Sequence, residues 1–156
     1  MKKICISFIL GFLFFPKLQA QEHLQIKQAY DKYGKEKGAV FVQLSKDILS
    51  QGNTNIRFYK SMLIQEDTEK AAWILELIRA DQTEAYNLRE VSSGNKIETL
   101  ICQVRSEKTE GNEYILYKND NGQISLVYIR GNFPPDALNQ ELNKLKDLFI
   151  KVRKKK

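Results

Sequence analysis

NEYILYKNDNGQISLVYIR, residues 112–130, decides the fold. Two runs rich in aromatic and β-branched residues flank Asn121-Gly122, a pair that tolerates the positive φ angles of a tight turn between twisted strands. The stretch therefore predicts a β-hairpin, with strands over 112–118 and 123–130. Upstream, KIETLICQVR at 96–105 is a further strand, joined to the hairpin by the polar link 106–111. Three strands in succession make an antiparallel meander. Downstream, Gly131 and Asn132 end the last strand, and Pro134-Pro135-Asp136 resets the backbone before a final helix. In that helix Leu138, Leu142, Leu145, Phe149 and Val152 recur at steps of four and three, forming one apolar stripe.

Further upstream, residues 55–65 alternate Ile56, Phe58, Lys60, Met62 and Ile64 against Arg57, Tyr59, Ser61 and Leu63, which predicts another strand. Residues 39–44 predict one more, and apolar groups on both of its sides place it inside the sheet. Ser45 caps a single helical turn carrying Ile48 and Leu49. Asp67 or Thr68 caps an amphipathic helix on Ala71, Ile74, Leu75 and Ile78, whose stripe Trp73 and Leu77 widen. Residues 22–33 predict a short helix closed by Gly34, and residues 83–90 a second helical piece. The expected class is α+β: one mainly antiparallel sheet of about five strands, with helices packed on one face and a C-terminal amphipathic helix. A parallel sheet would need regular strand and helix alternation, which the meander interrupts.

The N-terminus supplies a destination. Lys2 and Lys3 precede an apolar run over 4–15, and Leu18-Gln19-Ala20 follows Pro16-Lys17. A basic start, a core too short to span a bilayer and a small residue at the cut define a cleavable export signal over 1–20. An anchor would need about 20 apolar residues. A lipoprotein would need a Cys at the cut, whereas Cys5 lies on the wrong side of the apolar core. Cleavage after Ala20 leaves one domain over 21–152 and a basic tail over 153–156.

Removing the signal changes the charge. Of 25 basic and 19 acidic residues, Lys2, Lys3 and Lys17 leave with it, so the net charge falls from +6 to +3. Residues 144–156 hold seven basic side chains and one acid, Asp147, so residues 21–143 carry a net −3. Basic character is confined to the end of the chain, and a nucleic-acid partner, which calls for cations interleaved with aromatics on a shared face, is not expected. Cys102 remains as the sole cysteine, which precludes an internal disulfide. Its setting in Leu100-Ile101-Cys102-Gln103-Val104 predicts an inert, core-facing thiol.

Reactive constellations are sparse. His23 is the sole histidine, near a chain end where an oriented partner is not foreseen. One His and one Cys cannot assemble a zinc site of the usual composition, and no cofactor is expected. Glu107, Glu110 and Glu113 crowd a polar loop read as solvated. Asn119-Asp120-Asn121-Gly122 resembles a calcium-loop fragment, but the first and twelfth ligand positions fall on Tyr117 and Tyr128. A nucleophile elbow and a glycine-rich phosphate loop are both missing. The tail cations Lys151, Arg153, Lys154, Lys155 and Lys156 suit contact with an anionic membrane surface, at about 1 kcal/mol each. They equally suit the C-terminal end of a helix dipole.

Tyr33-Gly34-Lys35 with Gly38 and the segment 40–45, then Tyr59-Lys60-Ser61, then Tyr128-Ile129-Arg130-Gly131-Asn132 follow a familiar order. The chain resembles small exported Bacteroidetes proteins grouped as domain of unknown function 6108, with a looser similarity to family 4252. The resemblance covers most of the mature chain and carries no catalytic residues. It implies an exported α+β protein of a Gram-negative envelope, found in the periplasm or outer envelope. The expected role is non-enzymatic binding of a protein or another envelope component. The alternative is an enzyme or small-molecule binder whose site is assembled from scattered residues.

Overall fold

At Asn121-Gly122 both φ angles are positive, 52° and 73°, as the hairpin requires. A computed structural model describes residues 23–82, 87–104 and 111–154. In chain order the elements are α1 (Lys27–Tyr33), β1 (Val40–Leu44), α2 (Lys46–Ser50), β2 (Ile56–Gln65), α3 (Thr68–Asp81), β3 (Asn87–Ser93), β4 (Lys96–Val104), β5 (Asn112–Asp120), β6 (Gln123–Gly131), a 3-10 turn (Pro135–Ala137) and α4 (Leu138–Lys154). The strands form one antiparallel sheet in the order β1-β2-β6-β5-β4-β3. The α+β class and the meander stand as read.

Three local expectations change. The sheet has six strands among the described residues, because the segment from Asn87, expected to be helical, pairs with β4. The rest of that expected helix, 83–86, lies outside the described residues. A turn at Gly94 and Asn95, with Gly94 at φ 59°, folds β3 back on β4, and pairing to a full neighbouring strand outweighs weak helical spacing. β1 occupies an edge rather than the interior, leaving Val40 and Phe41 54% and 42% exposed. Finally, α1 starts at Lys27, several residues later than expected. The Asp81 carboxylate at the end of α3 accepts from the backbone N–H of Gln25 (2.6 Å) and of Ile26 (2.8 Å), so the cap is supplied from a distant element.

Strand alternation sorts the core into two layers. On one face Met62, Ile64, Leu100, Cys102, Ile115, Tyr117, Ile124, Leu126 and Tyr128 pack with Ala29, Tyr30 and Tyr33 of α1 and with Ile74, Leu77 and Ile78 of α3. This is the expected helical layer. The C-terminal helix lies on the opposite face, where Leu138, Leu145 and Leu148 of α4 and Leu49 of α2 meet Ile56, Tyr114 and Ile129. A register shift between Ile56 and Phe58 lets these two residues serve opposite faces, the effect of one extra residue in a strand. Gly131 sits where the strands crowd. A Cβ there would lie 2.5 Å from both the Asn55 carbonyl oxygen and the Phe133 ring, which explains glycine in the Ile-x-Gly-Asn segment.

The caps follow the sequence. Ser45 Oγ accepts from the Ile48 N–H at 3.4 Å, and the Asp67 carboxylate accepts from the N–H groups of Glu69 and Lys70 at 2.8 and 3.3 Å. The α4 stripe includes Leu148 as well as Leu138 and Leu145, while Phe149 is exposed. Among the described residues, no helix is long and apolar enough to cross a membrane.

Candidate functional site

Among the described residues, three buried polar constellations interrupt the apolar layers, and their hydrogen bonding separates them. Glu141, on the inner side of α4, is 1% exposed. One of its oxygens accepts from Thr54 Oγ1 (2.7 Å) and the Asn55 N–H (2.6 Å), the other from Asn55 Nδ2 (3.0 Å) and Lys144 Nζ (2.8 Å). Desolvation pushes its pKa up, but hydrogen bonds from Lys144, Asn55 and Thr54 outweigh that and lower it to about 2. Every lone-pair direction is engaged. The group pins α4 to the loop before β2, and no capacity is left for a ligand.

Glu113 forms the second constellation. It was expected in a solvated acidic loop, but it opens β5 on the same face as Ile115 and Tyr117 and is fully buried. Its carboxylate lies 3.2 Å from His23 Nε2 and accepts from Tyr128 Oη at 3.0 Å. Burial, followed by the Glu113 charge, raises the Tyr128 pKa. Asp81, also raised by burial, caps the turn that carries His23. The lone histidine thus has an oriented partner, and the cluster docks the N-terminal segment onto the sheet. Glu107 and Glu110 lie outside the described residues.

The third constellation is unfinished. A cleft of about 460 Å³ opens between the first half of α3, the β3–β4 turn and the far end of β5. Its apolar wall includes Ala71, Ala72, Leu75 and Ile97, and Glu66 and Lys96 form an ion pair at 2.8 Å on its edge. Alternation along β5 turns Tyr117 and Asn119 toward it, 1% and 3% exposed. Among the described residues, no group forms a hydrogen bond with Tyr117 Oη or Asn119 Oδ1, and each of these atoms has less than 1 Å² of exposed surface. Burial raises the Tyr117 pKa against the opposing pull of the neighbouring Asn119 amide. The Lys96 ammonium, and then the same amide, lower that of Glu66. Because a carboxylate only accepts, it is the amide nitrogen of Asn119 that faces Glu66.

Sequence reasoning read Tyr117 as a strand residue and Asn119 as part of a turn; neither suggested a site. The missing partners are a property of the fold, with no local sequence signal. The tail cations expected to meet an anionic surface are only partly in view. Lys151 and Lys154 are exposed at the end of α4, whereas Lys155, Lys156 and the Arg153 side chain lie outside the described residues. Cys102 is free and fully buried, with desolvation, then the Asp81 charge, pushing its thiol up to about 12, as an inert thiol requires. Among the described residues, no group of three or more His, Cys, Asp and Glu could hold a metal ion.

Among the described residues, a six-stranded antiparallel sheet between two helical layers, with a partly apolar cleft beside α3, defines a small α+β domain with a candidate binding site. No curated protein and no solved structure matches the chain. A family model does, over residues 13–142, and the chain belongs to that family of unknown function, DUF6108.

Proposed function

We propose that the chain is exported, loses residues 1–20 and works in the periplasm or outer envelope as a non-enzymatic binding domain whose ligand occupies the cleft beside α3. The observation that carries the binding role is the cleft itself, about 460 Å³, with apolar side chains of Ala71, Ala72, Leu75 and Ile97 on its wall and the Glu66–Lys96 ion pair on its edge. The cleft's size suits a small molecule or a short chain segment. Export rests on the basic start, short apolar core and small residue of positions 1–20.

Native mass spectrometry tests both halves. Protein recovered from the envelope fraction should have the mass of residues 21–156. After incubation with the small-molecule fraction of an envelope extract it should also carry an adduct. Ala72 is exposed on α3 and lines the cleft, so Ala72→Trp should fill the cleft without disturbing the core and should abolish the adduct. Full-length mass would sink the export assignment, and an adduct unaffected by Ala72→Trp would sink the cleft.

A second contact is favoured by the end of α4. Exposed Phe149 and Ile150 stand beside exposed Lys151 and Lys154, the combination by which a helix end rests on an anionic bilayer. Deleting residues 153–156 should weaken binding to anionic vesicles; unchanged binding would remove this contact from the account.

A further inference from the structure

We propose that the outer edge of β1 docks an extended, acidic segment of another protein as an added strand, with one of its carboxylates seated in the pocket beside Phe41. This surface shares no residue with the cleft beside α3 and takes a partner that the cleft does not define. β1 ends the sheet, and among the described residues the ladder hydrogen bonds of its backbone run to β2 alone. Alternate N–H and C=O groups of an edge strand point outward, where they template a further strand. β1 pairs with β2 without a register shift, and Val40-Phe41-Val42-Gln43-Leu44 holds neither a charge nor a proline. The opposite edge is guarded. β3 carries Arg89 and Glu90 near its centre, and its pairing with β4 shifts register twice. Charges and bulges are the devices that blunt an edge, so β1 is the edge left open.

Charge at this edge selects the partner. The Phe41 ring meets that of Tyr30 on α1 edge-on at 6.1 Å. Lys60, from β2, lays its ammonium 4.6 Å from the Tyr30 ring and 5.3 Å from the Phe41 ring. A pocket of about 150 Å³ opens there, lined by these three residues with Asp31, Gly34 and Lys35. Lys60 is half-buried and forms no ion pair among the described residues, while Asp31 is engaged by Lys27 at 3.5 Å. Burial lowers the Lys60 pKa more than the Asp31 charge raises it. The two rings ease the burial of the cation but supply no counter-charge. An added strand runs about 4.8 Å from β1, so its side chain beside Phe41 on the same face opens toward this pocket, where a carboxylate answers Lys60 and the exposed Lys35. A second copy of β1 would bring no carboxylate to the pocket, because the strand contains none. A basic segment would oppose both lysines.

The test titrates the mature chain, residues 21–156, with acetyl-Thr-Val-Glu-Val-Thr-amide, following backbone amide shifts by NMR. Saturable shifts should centre on residues 40–44, and the outward amide protons of β1 should gain protection from exchange. Replacing the probe's glutamate by glutamine should weaken binding about fivefold at low salt, a difference that should shrink at about 1 M salt. Lys60→Gln should remove that difference and leave the affinity of the glutamine probe unchanged. If Lys60→Gln folds poorly, Lys35→Gln, at an exposed position, should reduce the same difference. Two N-methylated probes separate strand addition from side-chain contact. An added strand pairs along only one of its edges, so methylating the valine amides or the threonine and glutamate amides should abolish binding in one case and spare it in the other. Equal behaviour of those two probes would overturn strand addition, and equal affinity for the glutamate and glutamine probes would overturn the acidic partner. Absence of saturable binding would overturn both. Shifts of residues 40–44 on raising the protein concentration alone would give the edge to a second copy and overturn the assignment. The cleft is decided separately, by adduct capture with Ala72→Trp.

Discussion

Tyr114 and Tyr117 stand three residues apart on β5, both buried, and their alternation sends them to opposite faces of one sheet. On the α4 face, Tyr114 Oη donates to the Phe133 carbonyl at 2.7 Å, and its ring stacks on Phe133 at 5.1 Å. On the α3 face, no described group forms a hydrogen bond with Tyr117 Oη. Residue type, strand and burial are shared, so the difference lies in what each face is built to do. The α4 face closes upon itself, with Asn112 Nδ2 reaching the same Phe133 carbonyl (2.9 Å) and Glu141 engaged by four donors. On the α3 face two buried polar atoms stay uncompensated among the described residues.

The contrast is broken most severely at Glu141. Glu141→Gln removes the charge that Thr54, Asn55 and Lys144 surround, and should destabilise the protein by about 3 kcal/mol in urea denaturation. A loss below about 1 kcal/mol would mean that the α4 face is not held by this knot.

The same carboxylate makes the stability of that face depend on pH. Its pKa in the folded protein, about 2, lies below the ordinary 4.5. A depressed pKa means that the unfolded chain binds the proton first. The stabilisation is therefore complete above pH 4.5 and is lost as the pH falls toward 2. Wild type should lose about 3 kcal/mol more than Glu141→Gln over that interval, so the gap between their urea midpoints should narrow. Parallel curves would show that another group governs acid unfolding.

What could be read from sequence follows a physical boundary. The β4–β5–β6 meander is written in local signals: the turn chemistry of Asn121-Gly122 and runs of residues suited to a pleated surface. The caps at Ser45 and Asp67 are local as well, and both formed. The placement of β1 was misread because apolar side chains on both sides of a strand indicate burial only when a neighbouring strand exists, and here the sheet ends. β3 was misread because its pairing partner across the Gly94 turn, rather than its own residues, makes it a strand. The polar constellations were hidden for a further reason. His23 reaches Glu113 across 90 residues and Thr54 reaches Glu141 across 87, contacts no short pattern encodes. The cleft is less legible still, since it forms only where α3, the β3–β4 turn and the end of β5 meet.

A milder perturbation sharpens the comparison on the satisfied face. Tyr114→Phe removes a donor from the Phe133 carbonyl, which keeps Asn112 Nδ2, and should cost about 1 kcal/mol. No measurable cost would show that the Asn112 bond alone satisfies that carbonyl, and the two tyrosines would no longer differ in kind.

Tyr117→Phe is the smallest change and the most telling. Deleting a buried hydroxyl that has a partner forfeits the hydrogen bond and strands the other atom. Deleting one without a partner removes only a group whose desolvation was never compensated. The ring of Tyr117 and its packing among Ile115, Ile124 and Leu126 are untouched by the substitution. Stability should therefore stay within about 0.5 kcal/mol of wild type or rise, measured in urea beside Tyr114→Phe. A loss matching that of Tyr114→Phe would mean that the Tyr117 hydroxyl is held in solution by the fold itself, and the two faces would then be equivalent.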